Sequence, residues 1–233
     1  MTMANPPALP QTLVELLVPL DARENVSGDL LEEYRAARVP ALGRRRADLW
    51  YWRQVGGIWL RAYWWVVVPV VLLLVARDIF NTFRAPSGAS YLDNLPAPAL
   101  VAASPLGVMG FFGLAGAYGS WRTQQWAGGV VAALGTFAVV WVFMALWWNA
   151  TFYPFAQMQQ SNPYWIHAWH WSTERAHSDE TFLRWIFWDN VGSLFIGGIA
   201  LLTGSLVCGG IGSALGLITA RRRPVAIHGR RPE

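Results

Sequence analysis

The run NVGSLFIGGIALLTGSLVCGGIGSALGLITA, residues 190–220, contains no Asp, Glu, Arg or Lys. At the helical rise of about 1.5 Å per residue, a helix of this length exceeds the roughly 30 Å hydrocarbon layer of a bilayer. An uncharged run of this length decides the fold class: an integral membrane helix, with tilt or an interfacial end absorbing the excess. Residues 94–121 are likewise uncharged and hold a second span, about 97–118, in which Pro105 is expected to introduce a kink. A third span fits 127–148. A first, near 55–80, has a shorter uncharged centre from Ala62 to Ala76, and Arg61 and Arg77 must snorkel to its two interfaces. The expectation is an all-α membrane helical bundle of about four transmembrane helices.

Composition supports this class. The chain is 54% hydrophobic and only 14% charged, with fifteen tryptophans among 233 residues, a balance that suits lipid contact better than a water-covered surface. The net charge of +4 comes from arginines beside apolar runs, the placement expected for contact with anionic headgroups rather than nucleic acid. All eighteen basic residues are arginine, which reflects a GC-rich genome rather than any chemistry. A single cysteine, Cys208, excludes a disulfide framework or thiolate cluster within one chain and reads as a small packing residue. Residues 1–12 are Pro-rich and polar, so a cleaved leader is not expected.

Upstream of the first span, Leu13, Leu16, Leu17 and Leu20 fall at helical spacing, and Val26, Leu30 and Tyr34 repeat every four residues. Two short amphipathic helices are predicted, with Asp21 and Asn25 as caps, Gly28 as a break, and Pro40 with Gly43 as the end. This gives a helical module over 1–54, a membrane region over 55–220 and a basic tail over 221–233. Arg44–Arg46, Arg53, Arg122 and Arg221–Arg223 belong on the cytoplasmic side by the positive-inside rule. In the opposite loops Arg84, Arg175 and Arg184 are offset by Asp93, Glu174, Asp179, Glu180 and Asp189, so both termini are expected in the cytoplasm.

Two sets of small residues mark where helices can approach. Ala200, Gly204, Cys208, Gly212 and Gly216 recur every four residues, and Gly107, Gly110, Gly113, Gly116 and Gly119 every three. They predict a packed bundle, self-association or contact with other membrane chains. Tryptophans gather at the first interface (Trp50, Trp52, Trp59, Trp64, Trp65) and around 149–189, where the segment from Trp165 to Trp188 is expected to lie in the outer interface as an amphipathic helix or hairpin.

Candidate chemistry is sparse. His167 and His170 share a helical face, and His177 with Glu174 follows within two turns, a loose set that suits zinc, copper, haem or pigment magnesium. Interfacial hydrogen bonding explains the same histidines, so the cofactor stays unassigned. Glu174, Asp179 and Glu180 read as a solvated turn rather than an acid–base pair. The spans hold almost no ionisable groups beyond Arg61, Arg77 and Asp78, which argues against a proton relay. There is no GxxxxGK[ST] phosphate loop, GxSxG elbow or HExxH, and no enzymatic activity is expected.

One resemblance bears on function. The segments LLVP (16–19), DARE (21–24), GDLLEEY (28–34) and GRRRADLWYWRQ (43–54) occur in an order that resembles the permease prefix domain, the N-terminal module of ABC-type permeases of acidobacteria and gemmatimonads. The resemblance covers less than a quarter of the chain, and the large permease that succeeds the prefix in that family has no counterpart in residues 55–233. It implies a cytoplasmic docking module, with Asp29, Glu32, Glu33, Tyr34, Trp50, Trp52 and Arg53 as docking residues, on a bacterial inner-membrane anchor. Three functions are compatible with these features: a non-catalytic subunit or adaptor, a transporter component forming a path as an oligomer, or a cofactor-bearing subunit of an energy-converting complex.

Overall fold

The computed structural model describes residues 5–82, 97–161, 163–176 and 179–221. Those residues are entirely helical apart from turns. Four elements make the N-terminal part: α1 (Ala8–Leu17), α2 (Arg23–Glu33), a π-helical turn (Tyr34–Arg38) and α3 (Val39–Leu42). Then come α4 (Arg44–Thr82), α5 (Ala97–Thr123), α6 (Trp126–Gln160), α7 (Pro163–Ala176) and α8 (Phe182–Arg221).

The local chemistry of the N-terminal part differs from the expected one at several points. On α1 the buried line is Pro10, Val14 and Leu17, with Val18 just beyond, while Leu20 is exposed. Gly28 does not break α2, which runs through it. The helix starts at Arg23 after Ala22 with no side-chain cap, so Asp21 and Asn25 do not cap it. The π turn has a cause in Pro40, which has no N–H to offer the Ala36 carbonyl. The ladder widens there, and the Val39 N–H bonds the Tyr34 carbonyl five residues back. Gly43 ends α3 as expected, with φ +75°, a conformation that costs a glycine little. The Ala47 N–H reaches back to the Gly43 carbonyl at 3.0 Å, so α4 starts at once.

Three helices, not the expected four, are long and apolar enough to cross a membrane among the described residues: Arg44–Ile79, Trp126–Gln160 and Phe182–Arg221. The helix over 97–118 exists as α5 and continues through Pro105 to Thr123. Over its described part, glycine at every third position, Ser104, Pro105 and Ser120 dilute its apolar character. Span boundaries also move. Helix α4 already begins at Arg44, α6 continues past residue 148 through Pro154 to Gln160, and α8 begins at Phe182 rather than near 191. With 35 and 40 residues, α6 and α8 are about 52 and 60 Å long, well beyond a roughly 30 Å hydrocarbon layer. Residues 149–189 are therefore built from the end of α6, the separate helix α7 and the start of α8.

The chain forms two compact units. One comprises residues 1–62, 113–133 and 208–233, the other residues 63–112 and 134–207. In the first, Val14, Leu17, Tyr34, Ala47 and Tyr51 are buried, joined by Ala115, Ser120 and Thr123 of α5 and Ser213 of α8. In the second, Val66, Val70, Val108, Phe112, Val140 and Ile186 are fully or almost fully buried. The outward side of α8 is apolar and exposed through Phe195, Ile196, Ile199, Val207, Ile211 and Leu215, as a lipid-facing surface must be. Arg84, Asp93, His177 and the tail after Arg221 lie outside the described residues.

Candidate functional site

The N-terminal helices are fastened to the root of α4 by an aromatic and polar joint. Tyr34 is completely buried, and its hydroxyl donates to Asp48 Oδ1 at 2.6 Å. Its ring meets Tyr51 edge-on at 5.9 Å between centroids, and Tyr51 meets Trp50 in the same manner. Arg38 sits 4.9 Å over the Trp50 ring while donating to Glu33 from Nε and Nη2 at 3.0 and 2.5 Å. Burial, reinforced by the bond to Asp48 and its charge, pushes the Tyr34 phenol up to about 12. Tyr34 is thus a structural core residue with no surface to offer a partner. Of the other expected docking residues, Asp29, Glu32 and Glu33 stand exposed on α2, Trp52 and Arg53 stand exposed on α4, and Trp50 is half-buried.

The small-residue sets meet each other. A Cβ added to Gly116 would lie 2.9 Å from the carbonyl carbon of Gly209, and one on Gly212 would lie 2.7 Å from that of Gly113. One on Gly216 would strike the backbone of Ala117. Gly129 of α6 is equally closed off by the Gly116 carbonyl and by Ser213. Side chains there would force the helices apart, so glycine is what permits the approach. In the other unit Gly204 is filled by Met109, and Gly107 lies at 3.0 Å from Leu73. Ala200 is exposed, Cys208 is half-buried, and Gly110 has open space beside it.

The reason for this uneven outcome is geometric. Steps of four residues precess by about 40° each around a helix of 3.6 residues per turn, so Ala200 and Gly216 end up about 160° apart. The buried line of α8 instead follows Gly198, Ser205, Gly209, Gly212 and Gly216, which averages 3.6 residues per turn. Strict four-residue spacing passes over Gly209, and only a search at helical period finds it.

Within the second unit, Trp147 Nε1 donates to Asp78 Oδ2 at 2.8 Å, joining α4 to α6. A carboxylate in a spanning helix requires such a partner. Residues 152–186 contain a separate aromatic core: Ala156, Phe182 and Ile186 are buried, with Phe152, Trp165, Ile166, Trp169 and Trp185 packed on them. Trp169 stacks edge-on against Phe182 at 5.9 Å, and its indole donates to the Glu180 carbonyl at 3.0 Å. The same helix turns His167, His170 and Glu174 to the exposed side. No group of three metal-binding side chains forms among the described residues, and the cofactor reading gains no assembled site.

Compared with known protein families, curated proteins and solved structures, the chain matches none. What the structure establishes is a multi-pass, all-α membrane protein with three candidate spanning helices and an N-terminal helical part.

Proposed function

We propose that this protein is a non-catalytic subunit or adaptor of an inner-membrane complex, whose N-terminal helices dock a partner at the cytoplasmic surface. The observation that carries the reading is the buried Tyr34–Asp48 joint. It makes α2 rigid with the first spanning helix, so that the exposed acidic residues Asp29, Glu32 and Glu33 are held in a set orientation at the membrane surface. Rigid presentation of a charged face is what an adaptor needs, because ordering losses on binding are then small. The likeness of residues 16–54 to the permease prefix points to an ABC-type permease as the partner class.

The arginines support the orientation. Arg44–Arg46, Arg53, Arg122 and Arg221 all belong to one compact unit, together with the turn between α5 and α6. In this reading that unit faces the cytoplasm, and α5 returns the chain as a helix shielded by its glycine contacts. Those contacts also refine how the protein meets other chains: the glycine faces are occupied within the chain, which leaves the apolar outer side of α8 for lipid or a membrane partner.

The test is co-purification of the full chain from its native membrane after mild extraction. Reversal of Asp29 and Glu32 to arginine, which leaves the Glu33–Arg38 pair intact, is expected to lower partner recovery about tenfold or more, as for loss of a few charge-assisted contacts. Helicity and melting temperature should stay unchanged. Undiminished recovery with the double variant would remove the α2 face from the proposal.

A further inference from the structure

We infer that a pocket in the N-terminal unit is a binding site for a zwitterionic phosphoethanolamine headgroup, supplied by a membrane phospholipid. The cavity measures about 490 Å³ and lies between α1, α2 and the turn that joins α5 to α6. It is an open cleft whose volume falls within the range of small-ligand sites. Its walls carry both signs of charge, Arg23 against Glu15 and Glu24, with the polar side chains of Thr12, Ser27 and Gln125 between them.

Arg23 is the group that asks for a ligand. Its Nη2 makes only long bonds, to the carbonyls of Val18 at 3.4 Å and Thr123 at 3.5 Å. A guanidinium N–H held only at such lengths is weakly satisfied, and a phosphate oxygen is the acceptor that guanidinium geometry suits best. The first turn of α2 adds to this, since it begins at Arg23 without a side-chain cap and leaves backbone N–H groups at its amino end. A plain anion would also meet Glu15 and Glu24, and a plain cation would meet Arg23. A ligand with phosphate and ammonium a few ångströms apart satisfies both walls at once.

The position selects lipid as the source. Gln125 lines the pocket, and the next residue, Trp126, opens a spanning helix with 52% of its surface exposed and its indole donating to the Gly210 carbonyl. An exposed tryptophan at the start of a span marks the headgroup level. The pocket therefore opens at the depth where phospholipid headgroups lie. Its apolar lining, Leu16 and Leu31, suits the glycerol side of such a group.

The experiment uses the full chain in nanodiscs holding equal amounts of phosphatidylethanolamine and phosphatidylcholine, followed by exchange into detergent and mass spectrometry of the retained lipid. The ethanolamine lipid is expected to be enriched about tenfold, because only its ammonium carries hydrogens for Glu15 and Glu24. The double variant Glu15→Gln with Glu24→Gln should return the ratio to that of the bulk lipid at unchanged melting temperature. Gly28→Phe provides an independent block: Gly28 lines the pocket and no atom lies within 4 Å of a Cβ there, so a large side chain is accommodated at the pocket wall without displacing the chain. It should reduce retention of the lipid to the same degree. Equal retention of the two lipids by the unaltered protein, or enrichment that survives both variants, would overturn the inference. Binding of free phosphoethanolamine with no enrichment of the lipid would overturn the lipid source.

Discussion

Tyr34 and Asp48, fourteen residues apart, are joined by a 2.6 Å hydrogen bond beneath a ring that is fully buried. This pair links the π turn to the first turns of α4, so the attachment of the N-terminal helices to α4 depends on it. Tyr34→Phe removes the donor and leaves the Asp48 carboxylate short of a partner, at a cost of about 1–3 kcal/mol. Urea unfolding in detergent, followed by hydrogen exchange over residues 23–55, should show that loss concentrated in the N-terminal helices.

The same pair gives the module a pH response. The Tyr34 phenol is raised from 10.0 to about 12, so the folded state holds its proton more tightly than the unfolded state does. The stabilisation is complete below pH 10 and is lost as pH rises from 10 through 12. Unfolding curves across that interval should show stability falling in the parent protein, with this component absent in Tyr34→Phe.

Glycine contacts separate structural from incidental positions. Gly212→Leu would drive a side chain into the Gly113 backbone, and Gly116→Leu into that of Gly209. Each is expected to destabilise by about 1–3 kcal/mol or more, since neither obstacle is a flexible side chain. Gly110→Leu meets open space and Ala200→Leu an exposed surface, so both should remain within about 0.5 kcal/mol. Melting temperatures of the four variants in one detergent make the comparison.

The Asp78–Trp147 bond predicts an asymmetry between two conservative changes. Trp147→Phe removes the indole N–H and leaves the carboxylate without that donor, costing about 1.5–3 kcal/mol. Asp78→Asn keeps an acceptor oxygen for the indole and should cost less. Thermal unfolding of both variants tests the order, and the reverse order would show that the charge of Asp78 matters more than this bond.

In the aromatic cluster of residues 152–186, Trp169→Ala should lower stability by about 3–5 kcal/mol, because a large ring leaves a void against Phe182 and an unpaired carbonyl at Glu180. His167→Ala and His170→Ala, on the exposed side of the same helix, should change stability by less than about 0.5 kcal/mol. Limited proteolysis between α7 and α8 should register the first change and not the other two.

Much of the helical architecture is legible in the primary structure, because the number of consecutive apolar residues is a one-dimensional property and a bilayer reads it directly. The uncharged run 190–220 and the apolar centres of α4 and α6 announce their helices, and Gly43 announces a helix end. Elsewhere, composition says less. Tryptophan-rich residues 149–189 suggest an interfacial helix or hairpin, and only the tertiary structure shows that the end of α6 and the start of α8 close an aromatic core with α7. The three-residue glycine spacing points to α5 as a packing helix, while the same glycines weaken its claim to be a span.

Side-chain partnerships are a different matter. Period and composition place Tyr34 on a helical face, but burial against Tyr51 and the bond to Asp48 assign it to the core rather than to a docking surface. Gly209 becomes an approach point because Gly116 arrives opposite it, and Asp78 acquires a donor from Trp147, sixty-nine residues away. Local sequence sets which segments are helical and apolar. The rotation of each helix is set by what it meets, since a turn of a few tens of degrees exchanges a lipid-facing side chain for a buried one and leaves the hydropathy of the segment unchanged.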